Sequence, residues 1–215
     1  MSLTSLPAGR RAADAERRER ILEAAERAFV RHGFHATTMQ RVADELGMSA
    51  GNLYRYFPSK EAIVEGLCAV DQAERARGFA ELMADNRNIM EAFCAGLRKH
   101  VLAKPPEKAR LIVEIWAEAG RNPRVAAITR SIDADVLAGL ERLMGAAKAG
   151  GAASPGLDSR FGARFFLTFV AGIFKRIAIE PDFDRDAETT MAVGVLEALF
   201  AGALSQGPPA PGEEA

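Results

Sequence analysis

Apolar residues recur at helical spacing along almost the whole chain, and no run alternates as a strand would beside a hairpin turn. In the first such stretch Ile21, Ala24, Ala25, Ala28 and Phe29 mark one face, with arginines and glutamates filling the other, which predicts a helix over 14–32. Gly33 follows, where a left-handed stop is wanted. Thr37 and Thr38 offer hydroxyl caps to a short helix over 39–46, and Gly47 ends it. Ser49 caps a third helix over about 50–56, which Pro58 closes. Longer helices are predicted over 60–83, 88–102, 107–119, 124–148, 157–179 and 185–204. Prolines or glycines at 105–106, 120–123, 150–156 and 181 separate the last of these. The pattern specifies an all-α protein of about nine helices.

Composition narrows the class. At 48% hydrophobic and 27% charged, the chain has enough apolar material for a sizeable core. Residues 1–13 read as a polar, disordered tail, and 207–215, rich in proline and glycine, as a second one. The two cysteines, Cys68 and Cys94, show no CxxC spacing, so they read as small buried hydrophobes, not a disulfide or zinc site, and fit a reducing cytoplasm. The arginines of the N-terminus accompany no apolar leader, and no stretch reaches the roughly 18 uninterrupted apolar residues of a membrane span. A cytoplasmic protein without membrane contact is expected. The net charge of −1 hides an asymmetry: residues 1–60 carry ten basic and seven acidic side chains, leaving 18 basic and 22 acidic for the rest. A basic front on an acidic body is the distribution expected when one end meets phosphate.

The chemistry sits in residues 38–60, TMQRVADELGMSAGNLYRYFPSK. Two short helices joined by a tight glycine-bearing turn make a helix-turn-helix. Val42, Ala43, Leu46, Met48 and Leu53 are spaced to pin the pair together and to the first helix. Ala50, Gly51, Asn52 and Tyr54 are left facing outward; small residues let a helix sink into the major groove, and asparagine can pair with an adenine edge. Tyr54 also reads as a core aromatic whose hydroxyl reaches water. Lys60 brings a cation and free backbone amides to the same surface, a phosphate clamp. Arg10 and Arg11 read as a floppy basic tail in preference to a minor-groove arm. His32 and His35 lack acidic or cysteine neighbours and read as turn residues, so no metal is expected. Glu114 and Glu118 share a helical face, but Arg110 one turn before Glu114 makes a surface ion pair the simpler account. No nucleophile elbow, phosphate loop or HExxH stretch appears, so neither a cofactor nor an enzyme is expected.

The chain resembles the TetR family of repressors. The resemblance rests on Ile21, Ala24, Ala25, Phe29, Gly33, Phe34, Thr37 and Thr38, then Val42, Ala43, Leu46, Gly47, Met48 and Ser49, and the run from Gly51 to Lys60. It implies a DNA-binding domain over 14–60 and a helical effector-binding and dimerisation domain over 61–206. It also implies a repressor, released from a palindromic operator on double-stranded DNA by a small-molecule effector. Thr38, Gln40, Ala50, Gly51, Asn52, Tyr54, Tyr56 and Lys60 occupy the family's DNA-facing positions. Among these Thr38, Tyr54, Tyr56 and Lys60 are candidates for phosphate, and Gln40, Asn52 and the backbone at Ala50 and Gly51 for base readout. The family's middle helices enclose a ligand cavity, which makes Phe79, Met83, Met90, Phe93, His100, Arg110, Glu114, Trp116, Phe166 and Phe169 candidate lining residues. Such a set suits a hydrophobic or amphipathic effector. The helix over 161–179 carries two apolar stripes where a monomer needs one. Phe161, Phe165, Phe169 and Gly172, with Leu196, Leu199 and Phe200 of the last helix, are therefore the expected homodimer interface.

Overall fold

The computed structural model describes the backbone of residues 8–84 and 89–204, and the side chains of 12–81 and 89–204. The expected tail positions 1–7 and 207–215, and the side chains of Arg10, Arg11 and Met83, lie outside the described residues. All regular elements within them are helical: α1 Ala8–His32, α2 Met39–Glu45, α3 Ala50–Tyr56, α4 Lys60–Ala84, α5 Ile89–Leu97, α6 Pro106–Ala119, α7 Pro123–Ala149, α8 Ser159–Ile179 and α9 Arg185–Phe200. A π-helical turn, Arg98–Leu102, continues α5. The all-α reading holds, with boundaries within a few residues of those predicted. One boundary is corrected: α1 starts at Ala8, not near Asp14, because the alanines and arginines assigned to a disordered tail are strong helix formers. Among the described residues no helix is long and apolar enough to cross a membrane.

The chain forms two compact units, neither continuous in sequence. Among the described residues, the first takes those up to Val70 together with Glu114–Ile128; the second takes those between Asp71 and Val113 and from Thr129 to Leu204. The first unit buries Ile21, Ala24, Ala25, Ala28 and Phe29 of α1 with Val42, Ala43, Leu53, Phe57, Ile63 and Val64. The helical spacing of the α1 set is what puts all five on one face. Val125, from the later segment, is fully buried in the same unit.

The second unit is built round Phe93, Leu97, Leu143, Met144, Phe166, Ile173, Leu196 and Leu199. Its helices start at acidic caps: Asp158 accepts from the amides of Arg160 and Phe161, and Asp184 from those of Asp186 and Ala187. Each cap satisfies donors that a helix start otherwise leaves idle. Arg176 near the end of α8 pairs with Glu180 at 3.0 Å and with Glu188 of α9, whose carboxylate is buried. The pairing ties the end of one helix to the start of the next. Glycine sets the approach of α7 to α4: a Cβ on Gly139 would lie 2.6 Å from the Phe79 ring, whereas one on Gly145 would meet nothing within 4 Å.

That contrast predicts opposite outcomes for two alanine substitutions in one helix. Gly139→Ala lowers stability, the overpacking cost of about 1–3 kcal/mol exceeding the gain of up to about 1 kcal/mol in helix propensity. Gly145→Ala collects only that gain of about 1 kcal/mol. Chemical denaturation of the two variants checks the pair.

Candidate nucleic-acid interface

Helices α2 and α3 are separated by Leu46–Ser49, four residues in which Gly47 adopts φ +61°, a conformation that side chains with a Cβ rarely take. The hydroxyl of Thr38 accepts the Arg41 amide at 3.2 Å and begins α2; that of Ser49 accepts the Asn52 amide at 3.3 Å and begins α3. Val42, Ala43 and Leu53 are buried and bind the two helices into the first unit. Gly51 and Tyr54 are left exposed, Tyr54 by 50%, with Ala50 and Asn52 half-buried beside them. The N-terminal half of this seven-residue helix presents only small groups, Ala50, Gly51 and Asn52, while Tyr54 and Arg55 stand exposed toward its C-terminal end.

The remaining DNA-facing candidates are more committed. Gln40 donates its amide to Asp44 at 2.7 Å, one turn along α2. The Tyr56 hydroxyl lies 3.5 Å from Asp14 of α1, and its carbonyl accepts from Arg18 at 2.9 Å. Arg18 also lies over the Phe57 ring at 4.4 Å, so the end of α3 is fastened to α1 by side chains with no apparent periodic signal.

Lys60 corrects an expectation. Its ammonium donates to the carbonyls of Phe34, His35 and Thr37 at 2.8, 3.3 and 3.2 Å, and stands 4.3 Å from the Phe34 ring centroid. An ammonium has three donors, and all three are used. The side chain that was expected to clamp a phosphate instead holds the α1–α2 junction, leaving its charge but no free N–H for an anion. Burial lowers its pKa, and the nearby carboxylates of Glu61 and Glu118 oppose that.

The same junction is held from the other side by Glu114 of α6, whose Oε2 accepts the Phe34 amide at 2.6 Å. Gly33, at φ +80°, lets the carboxylate in; a Cβ there would come 3.3 Å from it. Thr37, buried, puts its hydroxyl 2.8 Å from the Gly33 carbonyl. Glu114 thus accepts from the Phe34 amide in place of the ion pair with Arg110 that its spacing suggests, and it clusters with Trp116 in the first unit.

Of the other cavity candidates, Phe93 and Phe166 are buried and packed edge to face at 6.0 Å, and Phe93 meets Phe200 in the same way at 5.3 Å. Those rings fill core. Phe79, Met90 and Phe169 are half-buried against that core, His100 is half-buried, and Arg110 is exposed. An open cleft of about 570 Å³ runs along the first half of α8, lined by Asp158, Arg160, Phe161, Arg164, Phe165 and Thr168.

The interface set divides sharply. Leu196 and Leu199 are 0% exposed and Phe200 is buried too, so the apolar stripe of α9 faces its own core; assigning them to a subunit contact is corrected. Phe161 and Phe165, stacked at 6.2 Å, and Phe169 are only half-buried, and Gly172 is open. Near them in sequence pattern, Ile179 ends α8 at 60% exposure and Met191 stands on α9 at 44%.

Comparison with known proteins agrees with this architecture. Residues 21–67 match the model of bacterial regulatory proteins of the tetR family, and residues 100–201 match that of the C-terminal region of BetI-type transcriptional repressors. The chain is 29% identical over 188 residues to the HTH-type transcriptional regulator UidR of Escherichia coli K12, covering 87% of this chain and 93% of that one. Among solved structures, Salmonella enterica GusR is 29% identical with a TM-score of 0.68, over 85% of this chain and 94% of its own. FadR of Bacillus subtilis, solved with stearoyl-CoA, shares the fold at TM-score 0.71 and 20% identity, over 85% and 97%. A compact helix-turn-helix headed by α1, followed by a helical body that the second family model spans, makes the chain a member of the TetR family of transcriptional regulators.

Proposed function

We propose that the protein is a homodimeric repressor that grips a palindromic operator through α3 and releases it when a small hydrophobic or amphipathic molecule occupies the second unit. The observation that carries this reading is the face of α3: Gly51 and Tyr54 lie exposed, Ala50 and Asn52 half so, on a helix whose Leu53 is fully buried. Asn52 and Gln40, with the backbone at Ala50 and Gly51, read base edges; the hydroxyls of Thr38, Tyr54 and Tyr56 meet phosphates. Lys60 acts through its field and by fixing the loop that carries Thr38. With no long side chain over the first half of α3, much of the selectivity comes from the shape of the DNA. The regulator works in the cytoplasm, beside the chromosome, and has no catalytic role.

The two-fold partner is placed against Phe161, Phe165, Phe169 and Gly172 of α8 and Met191 of α9, residues left partly or wholly uncovered in one protomer. A dimer of this kind presents two recognition helices to successive major grooves, hence the palindrome. Release follows if an effector displaces α4, a single helix whose first residue, Lys60, holds the Phe34 loop. A coupling of about 1–3 kcal/mol, or a 5–150-fold loss of operator affinity, is the usual scale. Operator affinity unchanged at saturating effector would rule out induction.

Replacing Asn52 and Tyr54 together by alanine is expected to weaken binding to promoter fragments of the protein's own genome by about tenfold or more, with melting temperature unchanged. Fluorescence anisotropy at several salt concentrations reads this, and wild-type binding should fall steeply as salt rises. A protein with no salt-sensitive affinity for any such fragment is not a DNA-binding regulator. Met191→Arg should move the sedimentation coefficient from dimer toward monomer without disturbing the helical content. Glu114→Ala, which strips the acceptor from the Phe34 amide, should speed hydrogen exchange at that amide and cost about 1 kcal/mol of stability; Glu114→Gln should retain most of the protection.

A further inference from the structure

Helix α4 carries Gln72, Arg75 and Phe79 on successive turns of one face. The Gln72 amide donates to Asp135 of α7, and the Phe79 ring lies against Gly139 of the same helix. Both neighbours of Arg75 are thus spoken for. Arg75 is not: one terminal guanidinium nitrogen is buried and has no hydrogen-bond partner. A guanidinium cannot escape by losing its proton, and buried polar groups in folded proteins almost always find partners. An idle donor of this kind points to a partner that arrives from outside.

A second group stands next to it. Nε2 of His100 lies 3.4 Å from where a Cβ on Gly78 would be, so the imidazole rests on bare backbone of α4 three residues beyond Arg75. It is carried there by the π-helical turn Arg98–Leu102, an irregularity that recurs where a side chain has to be aimed. Burial lowers its pKa, as do the charges of Lys99, Lys104 and Arg75, with Glu74 opposing them. At neutral pH the ring is an uncharged hydrogen-bonding group in a positive field.

We infer that Arg75 and His100 form the head-group end of the effector site, and that the effector is a small organic anion whose charged head takes the idle donor of Arg75 while its apolar body lies toward Phe79. The inference rests on the reading that the second unit takes an effector; Met90 and Phe79, half-buried against the core, supply the apolar part. A half-buried guanidinium with an idle N–H favours an anion over its neutral counterpart, because a charge-assisted hydrogen bond is stronger than one to a neutral acceptor.

The full-length protein can be titrated with two fluorescent probes, anilinonaphthalene sulfonate and the neutral phenylnaphthylamine, which share an aromatic body and differ in the anionic head. Wild-type protein should bind the sulfonate about tenfold or more tightly than the amine. Arg75→Met should abolish that preference, weakening the sulfonate by about tenfold while leaving the amine within about twofold. The variant should melt no lower than wild type, since it removes an idle buried donor and keeps an unbranched apolar chain; loss of binding then cannot be laid to unfolding. Sulfonate binding unaffected by Arg75→Met, a wild type that prefers the amine, or a wild type that binds neither probe overturns the anion site. Promoter binding of the wild type, measured without probe, is a separate readout: its absence sinks the regulator reading whatever the probes do.

Discussion

The backbone of Phe34 is gripped from two directions, its N–H by Glu114 of α6 and its carbonyl by Lys60 at the start of α4, while the ring packs on Phe29 and under the Lys60 ammonium. The position of α2, and through it α3, follows from this grip, because only Phe34 to Thr38 separate α1 from α2 apart from Gly33. Neither bond is strong where water can compete. Their value is geometric: two helices that begin or end far apart in sequence set the angle at which the short helices leave α1. A movement of either helix is felt at one peptide group.

Much of this architecture was legible in the sequence because it is local. The stripe from Ile21 to Phe29, the left-handed glycines at 33 and 47 and the serine cap at 49 each act within a few residues, and each is found where its chemistry requires it. Tertiary choices were not legible. Leu196, Leu199 and Phe200 had the spacing of an interface and turned out to face inward, since periodicity says that a stripe is covered and not by what. Lys60 looked like a free cation because nothing in its neighbourhood announces the three carbonyls, of Phe34, His35 and Thr37, that accept from it. The π-helical turn at Arg98–Leu102 is similarly silent in sequence, and nothing around the half-buried His100 announces that its ring rests on α4.

The two faces of α8 show how one helix can serve different masters. Phe166, Val170, Ile173 and Ile177 are buried, and the opposite side keeps Phe161, Phe165 and Gly172 at the surface. Arg176 is tied to Glu180 and Glu188, which anchors that second face against α9 without using apolar area. Surface left apolar in this manner is costly for a monomer and natural for a chain that pairs.

The first unit is assembled from two stretches of chain, the second of which ends at Ile128. On the ribosome, the 58 residues between Val70 and Ile128 must still be added after the last residue of the leading stretch has been joined. At about 5–20 residues per second that is a delay of roughly 3–12 s. During that interval the nascent headpiece lacks Val125 in its core and Glu114 at its hinge. A partly translated chain therefore carries α2 and α3 without Val125 and Glu114, and the first unit is complete only once the middle of the polypeptide has emerged.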